Sequence, residues 1–159
     1  RMAHLAGFVD GYSRFAKLPL PRLAPVEWRG FLESLQSMTP FAADGEWPRG
    51  AGYLDESQMQ QVLLNLVRNA VEAGSPAGEI RVGVVAHGGG WRLTVADRGS
   101  GMTGDVLANA LLPFYSTKPT GTGLGLTLCR EIVEAHGGTI DLANREGGGL
   151  VVRLWLPGK

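Results

Sequence analysis

The placement of glycine limits the fold of this chain more than any other feature. Of its 24 glycines, 14 gather at 88–90, 99–104, 121–125, 137–138 and 147–149. They keep no fixed period, which rules out collagen-like and solenoid folds. Glycine takes positive φ without strain and lets the backbone approach another group closely. The clusters therefore mark sharp turns or contact loops between regular elements. The 159 residues fit one domain, or one domain with an appendage, and 44% hydrophobic content is enough for a buried core.

Apolar spacing fills the stretches between the glycines. Over 1–18, Met2, Leu5, Phe8, Val9, Tyr12, Phe15 and Ala16 recur at helical intervals. Pro19, Pro21 and Pro25 end that pattern and predict a stiff connector over 19–25. This divides the chain into an N-terminal helical piece and a domain over 26–159. Within the domain, 26–38 predicts an amphipathic helix burying Phe31, Leu32 and Leu35, and 39–54 a loop with at most a short strand ending near Leu54. Asp55 with Gln58 three residues on forms a helix-start signature, and Gly74-Ser75-Pro76 stops that helix at about Ala73. Ile80, Val82 and Val84 alternate on one strand and Trp91, Leu93 and Val95 on the next, joined through His87-Gly88-Gly89-Gly90 as a hairpin. A helix over 127–136 and strands over 139–143 and 150–156 follow, while 98–120 shows no clear order. Helices on one face of a mixed, mostly antiparallel sheet make an α+β two-layer sandwich.

Composition narrows the partners. Lys+Arg and Asp+Glu both number 15. Without a basic excess, the chain has no general attraction for nucleic acid or an anionic membrane. The single Cys129 excludes an internal disulfide, suits a reducing compartment and reads as a core residue. No run approaches the ~18 apolar residues of a membrane span. The reading is a cytoplasmic piece, opening at Arg1 inside a helical pattern, whose parent protein is free to be anchored in the inner membrane.

Three clusters carry chemistry. On the helix over 55–73, Met59, Val62, Leu63, Leu66 and Ala70 form the apolar stripe, and Gln58, Gln61, Asn65, Arg68, Asn69 and Glu72 the polar face. Asparagine disfavours helix because its side chain competes for backbone hydrogen bonds. Two of them one turn apart either form an interior pair satisfied by backbone, or offer neutral oxygens to phosphates and a hard cation such as Mg²⁺. Asp97-Arg98-Gly99-Ser100-Gly101-Met102 follows an apolar strand. It is an ordinary turn, or a carboxylate placed to accept from an adenine amine. Gly121-Thr122-Gly123-Leu124-Gly125-Leu126 opens a helix, where N–H groups and the helix dipole suit an anion. Leu126 stands where a dinucleotide fingerprint needs its third glycine, and no Walker-type lysine motif occurs. Before it lies Pro113-Phe114-Tyr115-Ser116-Thr117-Lys118, an aromatic, hydroxyls and a cation in a long loop.

Asn65-Leu66-Val67-Arg68-Asn69-Ala70, Asp97-x-Gly99-x-Gly101, Pro113 to Lys118 and Gly121 to Leu126 stand in the order of four boxes of a known family. The chain resembles the catalytic, ATP-binding domain of sensor histidine kinases, in the superfamily shared with gyrase, the Hsp90 chaperone and MutL. The resemblance implies a Bergerat-type ATP fold, with Asn69 on Mg²⁺ and Asn65 helping to hold metal and phosphates. Asp97 is implied to bind the adenine amine, with Gly99, Gly101 and Met102 shaping the base pocket. It implies contacts to the nucleotide from Phe114, Thr117 and Lys118, and a phosphate cradle from Gly121, Thr122, Gly123, Leu124, Gly125 and Leu126 under a closing lid. The catalytic residues it implies are Asn65, Asn69 and Lys118.

Hydrolysing relatives place a glutamate base where this chain has Asn65, and an amide takes no proton from water near neutral pH. The expectation is transfer of the γ-phosphate to a histidine on the family's dimerisation domain, with relay to a response regulator receiver domain and a homodimeric parent. Val9-Asp10-Gly11-Tyr12-Ser13-Arg14-Phe15-Ala16 resembles the end of the second dimerisation helix in kinases of the nitrogen-regulation type. His4 lacks the acidic residue and proline that follow the family's acceptor, so the acceptor is expected upstream of Arg1. His87 reads as a turn residue and His136 as a helix-end residue, where a partly positive ring is favourable. The chain departs from the family in two places: Glu72 and Ala73 replace a Lys-Tyr pair, and Leu150 a hydroxyl that supports the adenine aspartate. A same-superfamily ATPase or serine kinase, and a nucleotide-sensing module without turnover, are the alternative readings.

Overall fold

The computed structural model describes residues 18–112 and 125–159. The helix expected at the chain's start, and the segment running from Pro113 to Leu124, lie outside the described residues.

Alternation of apolar residues builds a five-stranded sheet from β2 (Ala42–Ala43), β4 (Arg81–His87), β5 (Gly90–Ala96), β6 (Thr139–Asn144) and β7 (Leu150–Pro157). Its order is β2-β4-β5-β7-β6; β2 runs parallel to β4 and every other pair is antiparallel. The register sets Val84, Leu93, Leu154 and Ile140 in one row and Val82, Val95, Val152 and Leu142 in the next. Since strand side chains alternate, these rows share a face, and they join the core with α1 (Trp28–Met38), α2 (Glu56–Glu72) and α4 (Gly125–Ala135). A six-residue helix, α3 (Gly104–Asn109), lies in the stretch that the sequence left without order. The mixed, mostly antiparallel sandwich is the architecture expected.

The stripe chosen for α2 is buried throughout: Met59, Val62, Leu63, Leu66 and Ala70, joined by Val67. Each large aliphatic side chain so buried contributes roughly 1.5–3 kcal/mol. At its front end, Asp55 Oδ1 accepts from the Gln58 N–H at 3.0 Å, the cap foreseen.

The connector and its neighbours differ from expectation. Ala24–Glu27 forms a strand, β1, antiparallel to β3 (Ala51–Leu54), so α1 starts at Trp28 rather than at residue 26. Pro25 is tolerated there because a proline lacking its N–H can occupy a strand in a two-stranded edge pair. The interval 39–54 thus holds two short strands, one more than foreseen. Gln58, assigned to the polar face, is 8% exposed. Its Nε2 donates to the Pro19 carbonyl at 2.9 Å, while the Arg22 N–H donates to Asp55 Oδ2 at 2.8 Å. The connector is therefore laid along the start of α2, a contact between distant segments that no local pattern encodes.

Candidate nucleotide site

Asn65 and Asn69 are both half-buried, one turn apart on α2. The fully buried stripe orients the helix, so core packing sets the direction in which the amide side faces. Asn65 also hydrogen-bonds toward the thiol of Cys129 on α4. Burial pushes that thiol up to about 12, against the lowering effect of the Asn65 bond, so Cys129 is an unreactive core residue as expected. Arg68 and Glu72 pair along the helix at 3.8 Å.

The far end of α2 meets the Asp97 loop. The Ser100 N–H donates to the Ala73 carbonyl at 3.0 Å, and the Arg98 N–H to Ser75 Oγ at 3.0 Å. A Cβ on Gly99 would fall 2.6 Å from the Ala73 carbonyl oxygen, so only glycine permits this approach. Asp97, at the end of β5, is 5% exposed. Its Oδ1 accepts from the Gly99 N–H at 2.8 Å and from the Leu150 N–H at 3.2 Å. A buried carboxylate is costly without donors, and here two backbone N–H groups supply them on one oxygen. The Leu150 main chain thus supports the aspartate directly, without a side-chain hydroxyl at that position.

Gly125 and Leu126 begin α4, with Leu126 packed against the core. The Thr127 hydroxyl, fully buried, donates to the Leu111 carbonyl at 2.9 Å and ties the end of the α3 region to α4. Phe114, Thr117, Lys118, Gly121, Thr122, Gly123 and Leu124 lie outside the described residues. The structure thus sets the loop of Asp97 and Gly99 against the end of α2, the helix that bears Asn65 and Asn69, and holds Gly101 and Met102 against Asn144. A shallow polar cleft lined by Asp44, Thr94, Arg98, Asn144, Arg145 and Arg153 opens on the sheet's outer face, beside the same loop.

His136 stands just past the end of α4, where the sequence placed it. The ring is buried, its Nε2 accepts from the Asp55 N–H at 3.0 Å, and its Nδ1 lies 2.7 Å from the Ile132 carbonyl. His136 joins the end of α4 to the start of α2. Ser75 and Thr127 also went unforeseen, since a lone hydroxyl gives no periodic signal.

Residues 54–159 match the model of the histidine kinase-, DNA gyrase B- and HSP90-like ATPases. The chain belongs to this family. Among its relatives is the sensor histidine kinase ZraS of Escherichia coli strain K12, 45% identical over 103 residues, covering 65% of this chain and 22% of that protein. Another is the C4-dicarboxylate transport sensor protein DctS of Rhodobacter capsulatus, 35% identical over 156 residues, covering 90% and 24%. The chain therefore spans less than a quarter of either relative. Of the solved structures in the family, the catalytic domain of histidine kinase ThkA matches with a TM-score of 0.74 at 28% identity, covering 86% of this chain and 96% of that one. Full-length ShkA in complex with AMPPNP matches with a TM-score of 0.77 at 27% identity, covering 97% and 36%.

Proposed function

We propose that this domain binds ATP with Mg²⁺ and presents the γ-phosphate to a histidine on its parent's dimerisation domain. The observation that carries this reading is Asp97, a buried carboxylate set by backbone donors beside the end of the helix that bears Asn65 and Asn69. Its glycine-bordered loop leaves backbone where a planar base can lie. The two half-buried amides offer oxygen, the donor type a small hard cation prefers. Asn69 would hold Mg²⁺ and Asn65 would assist; the ion, when bound, supplies charge neutralisation on the phosphates.

Asn65 decides the fate of the phosphoryl group. Its amide cannot act as a general base toward water, so the chain's own residues orient the anhydride without activating solvent. Transfer then depends on the incoming imidazole: a bond forms from its nitrogen to the γ-phosphorus as the bond to the β,γ-bridging oxygen breaks. ADP leaves and the ring proton passes to solvent, so catalysis is mainly positioning and charge stabilisation. Lys118 and the glycines at 121, 123 and 125 are proposed to contact phosphate. The relatives support the kinase reading, being sensor histidine kinases, and ThkA has been solved with the response regulator TrrA. A receiver domain of that kind is the proposed downstream partner.

Calorimetry with Mg²⁺ and AMPPNP tests the site. Binding by the wild type, weakened about 10- to 100-fold by Asp97→Ala, is the expected result; equal affinity in both removes the adenine assignment. For the reaction, radiolabelled ATP and a separately supplied dimerisation segment should give an acid-labile phosphorylated product. An acid-stable product points instead to a serine kinase.

A further inference from the structure

The side chain of Asn144, at the end of β6, does for the loop after β5 what a neighbouring strand would do. Its Nδ2 donates to the Met102 carbonyl at 2.6 Å, and its Oδ1 accepts from the Met102 N–H at 2.9 Å. One bond would leave that peptide free to swivel; two, to both polar groups of a single residue, fix its position and its orientation. The contact extends one residue back. Gly101 has φ +70°, and a Cβ there would stand 2.9 Å from Asn144 Oδ1 and 3.2 Å from the Gly149 carbonyl oxygen.

Around this pair the two loops exchange arginines. Arg145 Nη1 donates to the Asp97 carbonyl at 2.8 Å, and Arg98 Nη1 donates to the carbonyls of Glu146 and Gly148 at 2.7 and 2.9 Å. The Asp97 N–H donates to the Leu150 carbonyl at 2.9 Å. All of these bonds link the loop over 97–102 to the turn over 144–150. Asn144 belongs to none of the four motifs, and an asparagine before a glycine turn reads in sequence as an ordinary turn residue.

We propose that Asn144 is a positioning residue for the nucleotide. By gripping both backbone groups of Met102, it fixes the spacing between the Asp97 carboxylate and the Gly101-Met102 main chain against which the base lies. The proposal rests on the reading of Asp97 as the adenine-binding carboxylate. Its physical content is preorganisation: a loop already held in the bound geometry has no ordering cost to meet when ligand arrives.

Two variants and one control test it. Asn144→Ala removes both bonds. Asn144→Asp keeps the shape, loses the donor and sets an oxygen against the Met102 carbonyl. Titration of AMPPNP with Mg²⁺ into each, by calorimetry, separates affinity from the fraction of competent sites. Positioning predicts a dissociation constant raised about tenfold in both variants at unchanged stoichiometry. A purely structural role predicts the reverse, fewer competent molecules that bind as tightly as wild type, and that result overturns the proposal. Wild-type affinity in both variants overturns it too. The control is Asp97→Ala. If it weakens binding while both Asn144 variants bind normally, only the role of Asn144 falls. If Asp97→Ala is also silent, the adenine reading falls with it.

Discussion

The two halves of the candidate site are held in opposite ways. The base half, around Asp97, is fixed by polar bonds from three directions: its own loop through Gly99, the turn before β7 through Leu150 and Arg145, and the end of α2 through Ala73 and Ser75. The phosphate half, Asn65 and Asn69, takes its direction chiefly from the packed side of its helix, where Val62, Leu63, Leu66 and Ala70 are buried, with the Asn65 bond toward Cys129 added to it. One half is a web of directional bonds and the other rides mainly on non-directional packing. Damage to the web should therefore be felt at the base pocket, while a change of amide on α2 should leave the fold intact and alter only the chemistry.

The largest effect is expected where the web has no slack. Gly149 has φ +106°, and a Cβ there would fall 2.0 Å from the Asp97 carbonyl oxygen. Gly149→Ala must displace that strand end or the turn, at a cost of about 3 kcal/mol or more in strain and lost bonds. Thermal melts should show a drop of several degrees and AMPPNP binding should vanish. A variant that melts and binds like wild type would show the two loops to be independent. Asp97→Ala comes next. Removing a charged acceptor is worth ~1.5–3 kcal/mol, so AMPPNP affinity should fall about 10- to 100-fold with the sheet still folded.

Substitutions in the phosphate half should read differently. Asn69→Ala should leave the melting temperature within a few degrees, because the side chain is half-buried and outside the core, yet remove the Mg²⁺-dependent part of nucleotide affinity. Affinity measured with and without Mg²⁺ gives that difference directly; an unchanged Mg²⁺ dependence would move the metal elsewhere. At saturating Mg²⁺ and ATP, Asn65→Ala should not slow any ATP hydrolysis by the isolated chain, as an amide contributes no base. Fast hydrolysis abolished by that substitution would place the chain with the ATPases of its family.

What the sequence reveals divides along the same line. Packing leaves a periodic trace, so the α2 stripe, the β4–β5 hairpin and the strands ending the chain were legible from apolar spacing. The cap at Asp55 was legible because its partner lies three residues away. The Asp97 loop could be recognised as a motif, but the bonds that hold it could not: their partners Leu150, Arg145 and Asn144 lie 42 to 53 positions further along the chain. β2, two residues long and parallel to its neighbour, carries no pattern, and β1 was masked by the prolines that predicted an open connector. Gln58 looked polar-facing because its partner, the Pro19 carbonyl, sits across the connector.

The smallest effect belongs to the front of α2, far from both halves of the site. Burial alone would raise the Asp55 carboxyl, but N–H donors from Arg22, Gln58 and Ser57, with His136 nearby, bring it below its ordinary 3.8. A carboxyl lowered by folding adds stability that is fully present above its unfolded value and is lost as pH falls through the folded one. Asp55→Ala should accordingly destabilise the chain by ~1 kcal/mol near neutral pH, the usual worth of such a cap. The gap between variant and wild type should narrow as pH drops below about 4. Urea unfolding at pH 7 and pH 3 measures both numbers. AMPPNP affinity of the folded variant should stay within twofold of wild type, because the cap fixes where α2 begins and the buried stripe fixes how it faces. If affinity falls together with stability, the amides depend on the cap as well as on the core, and the contrast between a bonded half and a packed half no longer holds.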